Sequence, residues 1–342
     1  FQMIPLIFLL SLIPLVNSLF ANIGPRFRKL STEESVEMAR VCGTLQYPSH
    51  DFPMPNAHFI EQLRSRVAKY PWAVSISING KNKLGGALIS PYHILTAAHG
   101  FLVYTSYYTK CSARGYKSLP EVQELDVSYG GVCIRGIDSK LPNHPFCTQP
   151  DVIRNKIRGV RVDAEFGRQH CNKGHDWAIV ELENRVNFTD RVRPICLPYA
   201  GMRIQKLLQV AGWGRTYVAT DSSPLLHEAT MVHAPHCPRP ENDYFPSQAP
   251  DMLCAVSQNT TDFWAPRTCH GDSGSGMQQR DLDGRARLVA LTSFGTPGCP
   301  ADELARFTKL EPYLSEICQE TGICYTVPES AQSNNLPFKV RV

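Results

Sequence analysis

The chain has 342 residues, 43% of them hydrophobic, enough for one large β domain of roughly 200–250 residues plus appendages. Its 35 basic and 31 acidic residues leave a formal charge of +4 without a long basic run, so charge gives no argument for nucleic acid. Twelve cysteines, an even number, fit an oxidising compartment.

In chain order, Met3 to Ala21 is an uncharged apolar run followed by Arg26, Arg28 and Lys29. Its position and its small-residue endings, Val16-Asn17-Ser18 or Leu19-Phe20-Ala21, read as a secretory signal over 1–21, although a basic lead-in is missing. No second run has the about 20 apolar residues a span needs, so a secreted, extracellular chain is expected, off the membrane once the signal is removed. Residues 22–58, rich in charge and proline, read as a pro-like linker. In Trp72 to Ile78 the apolar residues Trp72, Val74, Ile76 and Ile78 alternate with small or polar ones, the period of a half-buried strand. Further strands are expected at 84–89, 93–96, 178–182, 207–211 and 288–293, punctuated by Gly, Pro and Asn as an all-β barrel or sandwich requires.

The 76 residues between His99 and Asp176 hold Cys111, Cys133 and Cys147 and form a stretch that should be cross-linked or functional, on the rim of any site near His99. Asn187-Phe188-Thr189 and Asn259-Thr260-Thr261 are glycosylation sequons, at Asn187 and Asn259. His233-Ala234-Pro235-His236-Cys237 and His170-Cys171 with His175 lack the paired spacing of structural zinc, so neither metal nor cofactor is expected. Lys309 to Thr321 places Leu310, Tyr313, Leu314, Ile317 and Cys318 on one helical face, with Thr308 and Glu311 as a capping box and Gly322 as the stop. Residues 323–342 read as a polar tail.

Three short blocks carry chemistry. They are Leu95-Thr96-Ala97-Ala98-His99, His175-Asp176-Trp177, and Cys269-His270-Gly271-Asp272-Ser273-Gly274. A serine hydroxyl becomes a nucleophile when a histidine takes its proton and a carboxylate fixes that histidine's tautomer. The order His, Asp, Ser is one of the orders that build such a triad; the serine-first order is excluded because no histidine follows Ser273. Taken singly, each residue reads as a turn or a structural side chain. Jointly they read as a nucleophile, a base and its orienter.

With Tyr70-Pro71-Trp72-Ala73-Val74-Ser75, Gly85-Gly86-Ala87-Leu88-Ile89, Pro194-Ile195-Cys196-Leu197-Pro198, Gly212-Trp213-Gly214-Arg215-Thr216 and Ser293-Phe294-Gly295 in order around these blocks, the chain resembles trypsin/chymotrypsin-type serine proteases from about Tyr70 to Leu314. Its lead-in, Leu30-Ser31-Thr32-Glu33-Glu34 to Cys42-Gly43, is similar to a secreted nematode trypsin-like subgroup. The resemblance implies an all-β fold of two antiparallel, Greek-key, six-stranded barrels with a C-terminal α-helix, the peptidase domain occupying 59–322. It implies catalytic His99, Asp176 and Ser273, an oxyanion hole at the amides of Gly271 and Ser273, and substrate-binding Arg267, Ser293, Phe294 and Gly295. It also implies the disulfides Cys42–Cys196, Cys237–Cys254 and Cys269–Cys299. Cys318–Cys324 suits a local loop, and the pairing of Cys111, Cys133, Cys147 and Cys171 stays open. The expected partners are protein or peptide substrates and protein protease inhibitors, met by a monomer.

The chain also departs from the family. Leu84 with Gly100, and Leu208 with Gln279, replace two cysteine pairs. Arg267 stands where an aspartate would select Lys or Arg, so either an acidic residue is preferred in the substrate or Arg267 is paired internally with Asp302 or Glu303. The new N-terminus that the family uses to pair with Asp272 would fall near Phe59-Ile60-Glu61-Gln62, where no basic residue precedes it; Arg66-Val67 starts eight residues too late, roughly 26–29 Å of chain. Two functions follow: a secreted serine endopeptidase working through an acyl-enzyme, or an inactive protease homologue that binds or regulates.

Overall fold

The computed structural model describes residues 19–45, 69–104, 113–134, 147, 149–171, 173–216, 221–238 and 249–327. The expected activation site at 59–62, the Arg66-Val67 pair and the tail from 328 onward lie outside the described residues.

Two closed, six-stranded antiparallel barrels form the molecule. The first runs through β2 (Ala73–Ile78), β3 (Lys81–Leu88), β4 (His93–Thr96), β7 (Asp126–Tyr129), β8 (Ile153–Asp163) and β9 (Ala178–Leu182). Its order is β8-β7-β2-β3-β4-β9, and β8 closes it because this 11-residue strand pairs with β7 along its first part and with β9 along its second. The second barrel has the order β10-β11-β12-β15-β14-β13, from β10 (Leu207–Gly212), β11 (His227–Ala234), β12 (Met252–Ser257), β13 (Gly276–Arg280), β14 (Ala286–Phe294) and β15 (Ala305–Lys309). The period-two reading is sound in β2, but its polar alternates Ser75 and Ser77 are buried too, since the outer face is also covered. Val74, Ile76, Leu88, Ile94, Val160 and Val180 pack into one core; Leu208, Met231, Leu253, Met277 and Phe307 pack into the other.

Between His99 and Asp176 the chain is ordered structure over its described parts. It supplies a hairpin of β5 (Leu102–Tyr104) and β6 (Ala113–Tyr116), a short helix α2 (Leu119–Gln123), and then β7 and β8. After β8 comes a short helix α3 (Ala164–Arg168). Val132, Cys133 and Ile134 dock on the second barrel: Trp213 Nε1 donates to the Val132 carbonyl at 2.8 Å, and Ile134 N donates to the Pro224 carbonyl at 3.0 Å. This part of the stretch therefore spans the two barrels as well as flanking the site.

Residues 22–45 are more than a linker. β1 (Phe20–Ile23) adds a seventh strand against β8, and α1 (Thr32–Val41) starts on a Ser31/Glu34 capping box. The Arg28 amide and Nε both donate to Glu181 Oε1, at 3.0 and 2.7 Å, and Arg158 holds the other oxygen of that fully buried carboxylate. Burying Glu181 without such cations would be prohibitive, so docking the segment and burying the charge depend on each other. The expected boundary at residue 21 falls inside β1.

The C-terminal helix is present but begins later than its sequence pattern. A 3₁₀ turn at Glu311–Tyr313 leads into α4 (Leu314–Thr321), which ends on Gly322 at φ +77°. The Thr308/Glu311 capping box does not form, because Thr308 is committed to β15, paired with Met252 and Leu291. Disulfides join Cys42–Cys196, Cys133–Cys147, Cys237–Cys254, Cys269–Cys299 and Cys318–Cys324, and Cys171 is disulfide-bonded as well. Leu84 packs against Gly100, filling the place of one replaced cysteine pair. No described helix is long and apolar enough to cross a membrane.

Candidate active site

His99 stands in a 3₁₀ turn, Ala98–Phe101, immediately after β4, and Asp176 sits two residues before β9, to which β4 is paired. Sheet register therefore brings the two together across 77 residues of sequence. The Asp176 carboxylate is fully buried. It accepts the His99 amide on Oδ1 at 2.9 Å and His99 Nδ1–H on Oδ2 at 2.8 Å. Ser293 Oγ also donates to Oδ2. Burial alone would push the Asp176 carboxyl up, but the His99 charge and these hydrogen bonds outweigh it and hold the group below the usual carboxylate range. Burial likewise opposes the His99 imidazolium, yet the Asp176 charge and hydrogen bond raise its pKa above the ordinary histidine value. The ring stays partly exposed, with Phe294 stacked on it at 6.4 Å between centroids.

Ser273 lies on a turn between Gly271, at φ +93°, and Gly274, at φ +81°. A side chain at Gly274 would strike Thr96, Ala97 and the Gly85 carbonyl, so glycine there lets the serine turn press on the end of β4, three residues before His99. Gly85 N donates to the Ser273 carbonyl at 2.7 Å, and Gly274 N to the Thr292 carbonyl at 2.7 Å. The carbonyls of His270 and Asp272 accept from Arg215 N (2.8 Å) and Ser275 N (2.8 Å). Asn82, which sequence reading did not single out, donates from Nδ2 to the Gly271 carbonyl at 2.7 Å. The amides of Gly271 and Ser273 have no acceptor among the described residues.

A cavity of about 270 Å³ opens beside Ser273, lined by Arg267, Cys269, Phe294, Gly295 and Glu303 among others. Arg267 does not pair with Asp302 or Glu303. Its guanidinium donates instead to the carbonyls of Phe263 (2.9 Å), Ala265 (2.8 Å) and Cys299, as part of the cavity wall. On the far side of this wall a second cavity, about 420 Å³, is lined by Gly212, Gly214, Arg267 and Asp272. The buried Asp272 carboxylate accepts from Gly214 N at 2.9 Å and Cys269 N at 3.0 Å. No ion pair reaches it among the described residues, and burial raises its pKa to about 6.

A second polar cluster, whose hydrogen bonds the sequence did not reveal, borders Asp176. His175, at φ +64°, donates from Nδ1 to Asp163 Oδ2 at 2.7 Å and from its amide to Asp251 Oδ2 at 2.8 Å. Trp177 Nε1 reaches the same Asp163 oxygen at 2.8 Å, and Tyr313 OH reaches Asp251 Oδ2 at 2.6 Å. Asp163 ends β8 of the first barrel, whereas Asp251 immediately precedes β12 of the second. Among the described residues no group of three or more His, Cys, Asp or Glu is arranged to hold a metal. Asn187 and Asn259 are both exposed.

Two closed barrels with a buried Asp–His pair and a serine turn define the class of trypsin-type serine-protease folds. The comparisons agree: the family model for Trypsin matches residues 148–317, and that of the Nematode trypsin-6-like family matches residues 12–122. His99 falls in the second match, and Asp176 and Ser273 in the first. The chain belongs to the trypsin-like serine protease family, with a nematode trypsin-6-like N-terminal part. It is 27% identical over 278 residues to CLIP domain-containing serine protease B8 of Anopheles gambiae, covering 75% of this chain and 65% of that protein. It is 27% identical over 261 residues to Transmembrane protease serine 11A of Homo sapiens, covering 75% of this chain and 53% of that protein. The chain thus spans less than two thirds of either relative.

Proposed function

We propose that the protein is a secreted serine endopeptidase. The observation that carries this reading is the buried Asp176, which receives both the amide and Nδ1–H of His99 and so leaves Nε2 as the ring's free base. Nε2 takes the proton of Ser273 as its Oγ attacks the scissile carbonyl, and Asp176 stabilises the imidazolium that results. The negative oxygen of the tetrahedral intermediate is received by the amides of Gly271 and Ser273, whose N–H groups are uncommitted among the described residues. On collapse, the imidazolium protonates the leaving amine and the acyl group stays on Ser273. Water, deprotonated by His99, then attacks the ester and releases the acid. Ser293, Phe294 and Gly295 pair with the substrate backbone, and the disulfides support an extracellular setting.

A serine-directed phosphonate tests this reading. The purified protein should acquire one adduct, on Ser273, and Ser273→Ala should acquire none. A correctly folded wild-type protein that takes up no adduct would favour the binding homologue. That second reading draws on two absences among the described residues: Asp272 has no ion pair there, and the buried hydroxyl of Ser275 has no partner.

A further inference from the structure

In acyl transfer the base takes the proton of the nucleophile and gives it to the departing amine, so the leaving half of a peptide passes over the turn that carries His99. The acyl half lies on the other side of Ser273, where Ser293, Phe294 and Gly295 border the smaller cavity. The leaving side has a floor of its own. Gly85 N donates to the Ser273 carbonyl at 2.7 Å, and Leu84, the residue before it, packs against Gly100, the residue after His99. Leu84 and Gly100 thus form an apolar step beside the nucleophile and its base.

Two lysines flank this step. Lys117 is tied twice to the His99 turn: its amide donates to the Phe101 carbonyl at 2.8 Å, and its Nζ to the Gly100 carbonyl at 2.7 Å. Burial and the Lys117 charge both work against the His99 imidazolium, and Asp176 outweighs them, so this half-buried amine is within electrostatic reach of the ring. Lys83 precedes Leu84 on β3, where the register with β2 slips. Ile76 faces Leu84 and Ser77 faces Asn82, which leaves Lys83 without a partner in the ladder. Such an extra residue re-aims its side chain, and Lys83 is exposed. The two amines also sense each other: burial lowers the Lys117 pKa, Glu121 opposes that shift, and Lys83 adds to it.

The carboxylates of this region are already engaged. Glu121 Oε2 accepts from the amide and the hydroxyl of Ser118, at 2.7 Å each, and Asp221 takes the amine of Lys81. Among the described residues no carboxylate forms an ion pair with Lys83 or Lys117. Two cations without a counter-ion, placed where the leaving peptide passes, attract negative charge.

We propose that Lys83 and Lys117 form a leaving-side specificity site that selects a carboxylate side chain, Asp or Glu, on the first or second residue after the scissile bond. The inference rests on the serine-endopeptidase reading and deepens it. It does not depend on the wall that contains Arg267, which lies on the acyl side.

The test uses peptides that share one acyl half and differ only in the two residues after the bond, which are Glu-Glu, Gln-Gln or Lys-Lys. With the wild type, kcat/KM should fall in that order. Glu-Glu should lead Lys-Lys by about 10- to 30-fold at low salt, and by about threefold or less in about 1 M NaCl. Lys83→Gln and Lys117→Gln should each shrink the ratio, the double variant should bring it to about one, and Lys117→Arg should keep it. A purely structural role for the Lys117–Gly100 bond would slow all three peptides alike and leave the ratio unmoved. Each preparation is also treated with the serine-directed phosphonate, whose adduct on Ser273 reports a working nucleophile without any leaving peptide. Labelling and hydrolysis without preference for Glu, or a preference that survives in the double variant, would overturn the inference and leave the endopeptidase reading standing. Neither labelling nor hydrolysis by the folded wild type would overturn both.

Discussion

His175 is the residue through which the Asp176 loop is fastened to both barrels, and its left-handed backbone is the cost of that position. Alanine there would lose the Asp163 bond, roughly 1–2 kcal/mol, and with it a restraint on the left-handed backbone. Asparagine tolerates the conformation and keeps a donor. His175→Ala should therefore lower both melting temperature and kcat, with KM little moved, while His175→Asn retains most of both; equal losses in the two variants would show that the imidazole itself is required. His99 makes a pH prediction. As the base it must be neutral, and its pKa is raised above the ordinary value, so kcat/KM should rise with pH through a midpoint above about 6.5. Stability runs the opposite way: the His99–Asp176 ion pair contributes fully below that ordinary value and is lost as pH climbs through the folded one. Asp176→Asn should shift the activity midpoint down and cost about 10⁴ in kcat. The triad blocks were legible because short motifs carry them. The contacts of Asn82 and His175 were not, since each reaches a partner more than 70 residues away.

Among the elements, the strands at 93–96 and 178–182 match their sequence patterns residue for residue, and others differ by a few residues at their ends. The N-terminal elements were missed for a physical reason. β1 is four residues long and gains its partner only from β8, and α1 is only weakly apolar on its packed face, so neither has a pattern of its own. β1 does discriminate between the two signal endings. Phe20 is buried and meets Trp177 edge-on at 5.5 Å, next to Asp176, and Ala164 N donates to the Leu19 carbonyl at 2.9 Å. Cleavage after Ala21 would remove half the strand. N-terminal sequencing of secreted protein should find Leu19, and a start at Asn22 would mean that β1 is dispensable. In the wall of the cavity beside Ser273, Arg267 is anchored by three carbonyls and no carboxylate pairs with it among the described residues, while Glu303 lines the same cavity. Cleavage after Asp or Glu should exceed cleavage after Lys or Arg, by roughly tenfold or less for one partly screened charge. Glu303→Gln should widen the difference and Arg267→Gln abolish it; a peptide-library digest preferring Lys or Arg would contradict the assignment of this wall.

At the scale of the molecule, the site exists because two barrels meet. The first supplies His99 and Asp176, and the second supplies Ser273, the uncommitted amides of its turn and Ser293. Connections across the junction are polar as well as apolar: Ser293 to Asp176, Asn82 to Gly271 and His175 to Asp251, with Cys133 and Cys147 on a stretch packed against Trp213. The N-terminal segment adds a seventh strand to the first barrel, and its helix-side contacts reach the C-terminal helix, with Leu30 N donating to the Thr321 carbonyl at 2.8 Å. Cys42–Cys196 ties that segment to the connection between the barrels. Turnover by this composite site is tested by digesting a denatured protein mixture with the purified chain and with Ser273→Ala, new peptide termini being counted by mass spectrometry. New termini should appear with the wild type and none above background with Ser273→Ala. Termini appearing equally with both, or with neither although both are folded, would contradict it.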